Sequence, residues 1–159
     1  MKVLILWVLT PDKKVLLILA KKEKMEKYGD NLYQPIQGWQ RKGESDFGTL
    51  VRLIEEKIGD ELAKEFFRKY RYSQKLPRFF KEDLIKNNIK IATRYHFLWE
   101  IPEKPFSLID KKDIKFIGIE DLKKIKPIGT SGIGHVILFK DDYKILTDKI
   151  FNLQTTLGW

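Results

Sequence analysis

The chemistry open to this chain gathers between positions 38 and 59, in GWQRKGESDFGTLVRLIEEKIG. Positions 53, 56 and 57 stand at i, i+3 and i+4, so a helix through them directs three side chains from one side. Three carboxylates so placed would form a hard oxygen site suited to Mg²⁺. The same positions here hold Leu53, Glu56 and Lys57. Exchanging a −1 for a +1 charge about 5 Å from a divalent cation shifts the Coulomb term by roughly 13 kcal/mol at an effective dielectric of about 20, before relaxation and salt reduce it. Even a small surviving part of that weakens metal binding severely. Lys57 is in turn suited to attract a phosphate directly.

These residues need a helix with a defined start. Ser45 is a good N-cap, and Phe47, Leu50, Val51, Ile54 and Ile58 recur at helical spacing, which predicts a helix over residues 45–58 with Gly59 as its stop. An amphipathic helix alone accounts for that stripe. It leaves unexplained Gly38, Gly43 and the preceding YQPIQGW. Before the helix, residues 2–9 and 14–20 read as strands joined at Thr10-Pro11-Asp12-Lys13, and the charged stretch 21–31 reads as loop. After it, residues 60–72 read as a second helix with Leu62, Phe66 and Phe67 inward. Residues 73–88 read as irregular, with Pro77 and Asn87-Asn88 as breakers. NIKIATRYHFLWEIP is a strong strand in which Ile91, Thr93, Tyr95, Phe97, Trp99 and Ile101 alternate with Ala92, Arg94, His96, Leu98 and Glu100. Residues 113–119 predict another strand, a short helix starts at Glu120, and residues 134–153 read as a C-terminal helix. The pattern is α/β, and at 159 residues it predicts a single domain, residues 1–159, with no repeat or linker.

The segment from Gly38 to Gly59 resembles the Nudix box, G-x5-E-x7-R-E-U-x-E-E-x-G-U, where U is a bulky apolar residue. Gly38, Glu44, Arg52, Ile54, Glu56 and Gly59 match in register without a gap, while Leu53, Lys57 and Asp60 depart from it. The resemblance implies a Nudix-type α/β/α sandwich with a mixed β-sheet. It gives Gly38 a loop-geometry role beside the phosphates, Glu44 and Glu56 a metal-side and catalytic role with Mg²⁺ or Mn²⁺, and Arg52 the task of orienting the acidic face. His96 and Glu100, on one face of the long strand, are candidates for an accessory base or ligand, and Asp60 follows Glu56 by one turn. Bland readings compete with each: Glu44 also favours a helix N-terminus, and Arg52 also suits a surface. Outside the box, YQPIQGW and FLWEIPEKPFSL are most similar to bacterial dATP or dihydroneopterin triphosphate pyrophosphatases.

Composition sets the remaining bounds. The chain is 43% hydrophobic and 13% aromatic, enough for one sizeable core. No apolar run approaches the ~20 residues that span a bilayer. Without cysteine there is no disulfide, thiolate nucleophile or thiolate zinc site, and cytoplasmic residence is the default expectation. The net charge of +9, from 31 basic and 22 acidic residues, favours polyanionic partners. In residues 64–81, KEFFRKYRYSQKLPRFFK, cations interleave with aromatics, which suits either binding of single-stranded nucleic acid or a helix and loop whose aromatics pack inward. GTSGIGH, residues 129–135, lacks the Lys-Ser/Thr ending of a P-loop and reads as a rim loop.

Two function classes stay open. One is a protein that binds a nucleotide or nucleoside diphosphate derivative, or RNA, without cutting it. The other is an active pyrophosphohydrolase of nucleoside triphosphates or nucleoside diphosphate derivatives. Homodimers are common in the family, and no residue pattern here locates an interface.

Overall fold

In the computed structural model, the described residues are 1–73, 75–105, 108, 111–128 and 136–152. The apolar run of β1 (Lys2–Leu9) is that of a strand covered on both faces. Leu4, Leu6 and Val8 point into one apolar layer, Ile5, Trp7 and Leu9 into the other. β2 (Val15–Leu19) follows through a turn in which Thr10 accepts from the Lys13 amide through its carbonyl and from the Lys14 amide through its hydroxyl. Next come α1 (Lys22–Tyr28), β3 (Tyr33–Gln34), β4 (Ile36–Trp39), α2 (Asp46–Lys57), α3 (Asp60–Tyr70), β5 (Arg78–Lys86), β6 (Ile89–Glu100) and β7 (Ile114–Ile117). A 3₁₀ turn at Ile119–Lys124 leads to β8 (Ile125–Pro127), β9 (Val136–Leu138) and α4 (Lys140–Lys144), which continues as a wider π-type turn over Ile145–Ile150.

The seven-stranded sheet runs β3-β2-β1-β6-β5, with β4 also paired to β1 and β7 to β2. β1 and β6 are parallel, and the other pairs in this sheet are antiparallel, so the sheet is mixed. On one face Leu50, Leu53 and Ile54 of α2 and Leu62, Ala63 and Phe66 of α3 pack over Leu4, Leu6, Phe97 and Trp99. On the other, Ile145, Leu146 and Phe151 close over Ile5, Trp7 and Leu17. The result is an α/β/α sandwich with a mixed sheet. Phe66 keys the first layer: fully buried, it meets Trp99 edge-on at 5.1 Å and Tyr70 at 4.7 Å between ring centres. No helix among the described residues is long and apolar enough to cross a membrane.

Four sequence expectations change. Residues 22–28 are helical rather than loop; Lys, Glu and Met are good helix formers, but no residue of α1 is buried, so no apolar stripe announces it. Residues 78–86, expected to be irregular, form β5, and Asn87-Asn88 is the two-residue hairpin turn, both residues at positive φ. Phe67 is exposed, and Ala63 fills the inward place beside Leu62 and Phe66. The expected C-terminal helix is preceded by β9 and is helical only from Lys140. The rim loop expected at 129–135 lies outside the described residues.

Candidate functional site at the start and end of helix α2

Ser45 caps α2 as expected, its hydroxyl accepting from the Gly48 amide at 3.0 Å. The loop from β4 to this cap carries Glu44 against Arg52. Arg52 donates from Nε to Glu44 Oε2 at 2.7 Å and from Nη2 to Oε1 at 2.9 Å, a bidentate pair. The Arg41 amide adds a bond to Oε1 at 2.8 Å, and Thr49 Oγ1 another at 3.2 Å. These donors, Arg52 foremost, hold the Glu44 carboxyl down at about 2, and Glu44 in turn raises the Arg52 guanidinium above its ordinary range.

Arg52 also reaches the Trp39 carbonyl at 2.9 Å and Glu56 Oε2 at 3.4 Å. It therefore ties the end of β4, the loop and the helix together, and it brings Glu44 and Glu56 to one guanidinium. Arg41 approaches Glu56 from the other side, 3.6 Å from Oε1.

Leu53, at the position where the box has a carboxylate, is a core residue only 2% exposed. It fills the space over Gly38 so closely that a Cβ at residue 38 would lie 2.5 Å from Leu53 Cδ2. Gly38 is not in the loop, however, but inside β4, paired with Leu4, and its lack of a side chain serves the close approach of α2 to this strand.

This donor set does not fit a six-coordinate Mg²⁺ or Mn²⁺ site. Both Glu44 oxygens are already bonded to a cation, Glu56 faces two arginines, position 53 is aliphatic and position 57 is an ammonium. Among the described residues, no three His, Asp or Glu side chains are grouped to hold an ion. Asp60 opens α3 and lines the groove between α2 and α3 with Glu55 and Lys64, whereas Glu56 lines a different cleft.

Lys57 sits at the other end of α2, in a cleft of about 390 Å³ with Lys21, Lys24, Gly38, Trp39 and Arg94. Partial burial, then the repulsion of Lys21, depresses its pKa; Lys24 and Arg52 act in the same direction and Glu56 opposes them. These neighbouring cations raise the cost of a charged Lys57, and a bound anion would relieve it.

His96 is fully buried on the side of the sheet opposite α2. Its Nδ1 accepts from Trp7 Nε1 at 3.1 Å, so its proton sits on Nε2, 3.0 Å from Glu82 Oε1. Phe80 stacks on the ring at 4.1 Å. Burial pushes its pKa down to about 4 despite Glu82. Glu100 is exposed at the end of β6, opposite Leu9. Neither residue is brought to the Glu44–Arg52–Glu56 group.

Lys21, Lys24, Arg94 and Asp142 were not singled out by sequence. Arg94 bridges Glu82 at 3.5 Å and Asp142 at 3.6 Å. Asp142 is buried at the cleft, and burial lifts its carboxyl to about 6, against the pull of Arg94. The available signal was Arg94 within an apolar strand, since a cation there requires partners.

Neither a family sequence model nor a curated protein matches the chain by sequence. Solved structures do match. The dihydroneopterin triphosphate pyrophosphohydrolase of E. coli superposes with a TM-score of 0.55 at 10% identity, covering 95% of each chain. A MutT/nudix family protein from Enterococcus faecalis gives 0.59 at 17% identity, over 98% of this chain and 62% of the other. The NUDIX domain of Shewanella oneidensis NrtR, solved with ADP ribose, gives 0.54 at 12% identity over 99% and 88%. The chain therefore has the Nudix fold, as its degenerate box implied.

Proposed function

We propose that this chain, acting as one domain over residues 1–159, binds the phosphates of a nucleotide or other diphosphate-containing ligand in the basic cleft at Lys57. Mg²⁺-dependent pyrophosphohydrolysis is weak or lost. The observation that carries this reading is that Lys57 lines a cleft with Lys21, Lys24 and Arg94 while Glu44 and Glu56 are engaged by Arg52. Nudix-fold neighbours named for dihydroneopterin triphosphate and solved with ADP ribose support a ligand that carries linked phosphates. Gly38, in β4, lines the cleft without a side chain to narrow it, and Lys57 supplies the positive charge that a metal ion would otherwise bring to the phosphate.

Titration calorimetry of wild type and Lys57→Glu with ADP-ribose, ADP and ATP, each with and without Mg²⁺, tests the reading. Metal-free affinity should fall roughly five- to hundredfold in the variant, the loss for a charged hydrogen bond of about 1–3 kcal/mol, while affinity for Mg²⁺ rises. Unchanged metal-free affinity removes Lys57 from the site. A hydrolysis screen with Mg²⁺ or Mn²⁺ tests the other half: turnover near about 10 s⁻¹ on a dNTP, ADP-ribose or a dinucleoside polyphosphate restores the active-enzyme alternative, in which Glu44 and Glu56 hold the metal.

A second reading, RNA binding by residues 64–81, is favoured by one observation. Phe66 and Tyr70 pack into or against the core, but Phe67 and Tyr72 are exposed and the Arg71 guanidinium lies over both rings. Loss of single-stranded RNA affinity in Tyr72→Ala, with nucleotide affinity intact, is the result that supports it.

A further inference from the structure

Lys21 and Lys57 line two clefts. The first, of about 390 Å³, also holds Lys24, Arg94, Trp39 and Phe139. The second, of about 570 Å³, holds Lys111, Lys112 and a floor of Ile18, Leu19, Ile58 and Ile114. Each lies within the volume range of ordinary small-ligand sites, and because they share two lysines they lie side by side. Between them they present Lys21, Lys24, Lys57, Arg94, Lys111 and Lys112 against Glu56, Asp113 and Asp142. Glu56 is engaged by Arg52 and Arg41, and Asp142 and Arg94 pair with each other, which leaves Lys21, Lys24, Lys57, Lys111 and Lys112 against Asp113 among the described lining residues. Lys111 is steered to the end of α2, its Nζ 3.5 Å from the Ile58 carbonyl.

The two clefts differ in a way that orients a ligand. The smaller contains aromatic surface, with Trp39 half exposed, against which a base can stack. Among the described residues, the larger is lined by no aromatic side chain and is rimmed by lysines.

Resting on the phosphate-binding reading above, we propose that the second cleft is a distal phosphate subsite and that the ligand is a nucleoside carrying a chain of several phosphates. Its base occupies the cleft of Trp39 and Phe139. Its first phosphates cross Lys21 and Lys57, and its terminal phosphates lie at Lys111 and Lys112. The lysines hold this chain without a metal ion. A mononucleotide reaches only the first cleft, so the number of phosphates determines how much of the surface is engaged.

Metal-free calorimetry in EDTA at fixed ionic strength, with AMP, ADP, ATP and inorganic tripolyphosphate, tests this on wild type, Lys112→Ala, Trp39→Ala and the remote control Lys69→Ala. Affinity should rise from AMP to ATP. Lys112→Ala should weaken ATP and tripolyphosphate by about five- to tenfold, as expected for one charged contact, and leave AMP unchanged. Trp39→Ala should weaken AMP and ATP but not tripolyphosphate, and Lys69→Ala should change none of them. Equal loss for AMP and ATP in Lys112→Ala, no loss, or the same loss in Lys69→Ala overturns the distal subsite. If Lys57→Glu still weakens ADP in that case, the phosphate-binding reading survives alone. If no nucleotide binds wild type without metal, both fail.

Discussion

Replacing Gly38 by Ala tests whether Leu53 has converted a metal-ligand position into core. The added Cβ would stand 2.5 Å from Leu53 Cδ2 and 3.5 Å from Cδ1, whereas carbon atoms in contact prefer about 3.5–4.0 Å. Leu53 is 2% exposed and packed among Leu50, Ile54 and the sheet, so it has no solvent to turn into. Relief requires an off-rotamer Leu53 or a shift of α2 away from β4, and overpacking of this kind costs about 1–3 kcal/mol. Leu53→Ala alone should cost about 2–5 kcal/mol through lost burial and the cavity left behind. In the double variant the new methyl group occupies part of that cavity, so the combined loss should fall short of the sum by at least about 1 kcal/mol. Urea unfolding followed by fluorescence of the buried Trp7 and Trp99 measures each arm of the cycle. Additivity to within about 0.5 kcal/mol would refute the contact. Leu53→Glu extends the test to function: the carboxylate enters an apolar layer while Arg52 is engaged by Glu44, so the protein should be destabilised without gaining Mg²⁺ affinity. A Leu53→Glu protein as stable as wild type and further stabilised by Mg²⁺ would show that the position remains a ligand site.

Removing the Arg52 guanidinium by Arg52→Ala should let the Glu44 carboxyl rise from about 2 toward its ordinary 4.5, read by carboxyl-carbon NMR titration; an unmoved Glu44 would show that the Arg41 amide and Thr49 suffice. The buried cluster on the opposite layer should show two opposing pH slopes. Asp142 titrates near 6 instead of 3.8, so its contribution is full below about 3.8 and is lost as pH rises through 6; Asp142→Asn should therefore gain stability relative to wild type across that window, by up to about 3 kcal/mol less whatever Arg94 loses. His96 titrates near 4 instead of 6.5, so its contribution is full above 6.5 and is lost as pH falls through 4; His96→Gln should flatten that loss, of up to about 3 kcal/mol, in urea unfolding from pH 7 to 4. If the variants follow the wild-type pH curve, the cluster is not what shapes it. Phe66→Ala should cost about 3–5 kcal/mol and Phe67→Ala much less, since only the former is buried against Trp99; equal losses in urea unfolding would contradict the inward face of α3.

Several features could be read along the chain because their causes are local. The cap at Ser45, the stripe through Leu50, Ile54 and Ile58, and the alternation of Ile91 to Ile101 each depend on helical or strand periodicity within a few residues. The register of Gly38, Glu44, Arg52 and Glu56 belongs with these: Glu44 and Arg52 are eight positions apart, and a cap followed by two helical turns brings them together. Helix α1 and strand β5 escaped because an exposed helix without a buried residue and a largely exposed strand leave no apolar rhythm.

Burial across the sheet and the neighbours of Lys57 were decided by tertiary structure. Glu100 and His96 alternate identically along β6, yet one is exposed and the other is sealed between Trp7 and Phe80, residues distant in sequence. Lys57 could be read as a cation at a metal position. Its clefts are assembled from Lys21, Lys24, Arg94, Lys111 and Lys112, which come from segments far apart in the sequence. Sequence determines which charges are present and their local spacing, but the electrostatic field at Lys57 falls with distance in space, and only the folded sheet sets those distances.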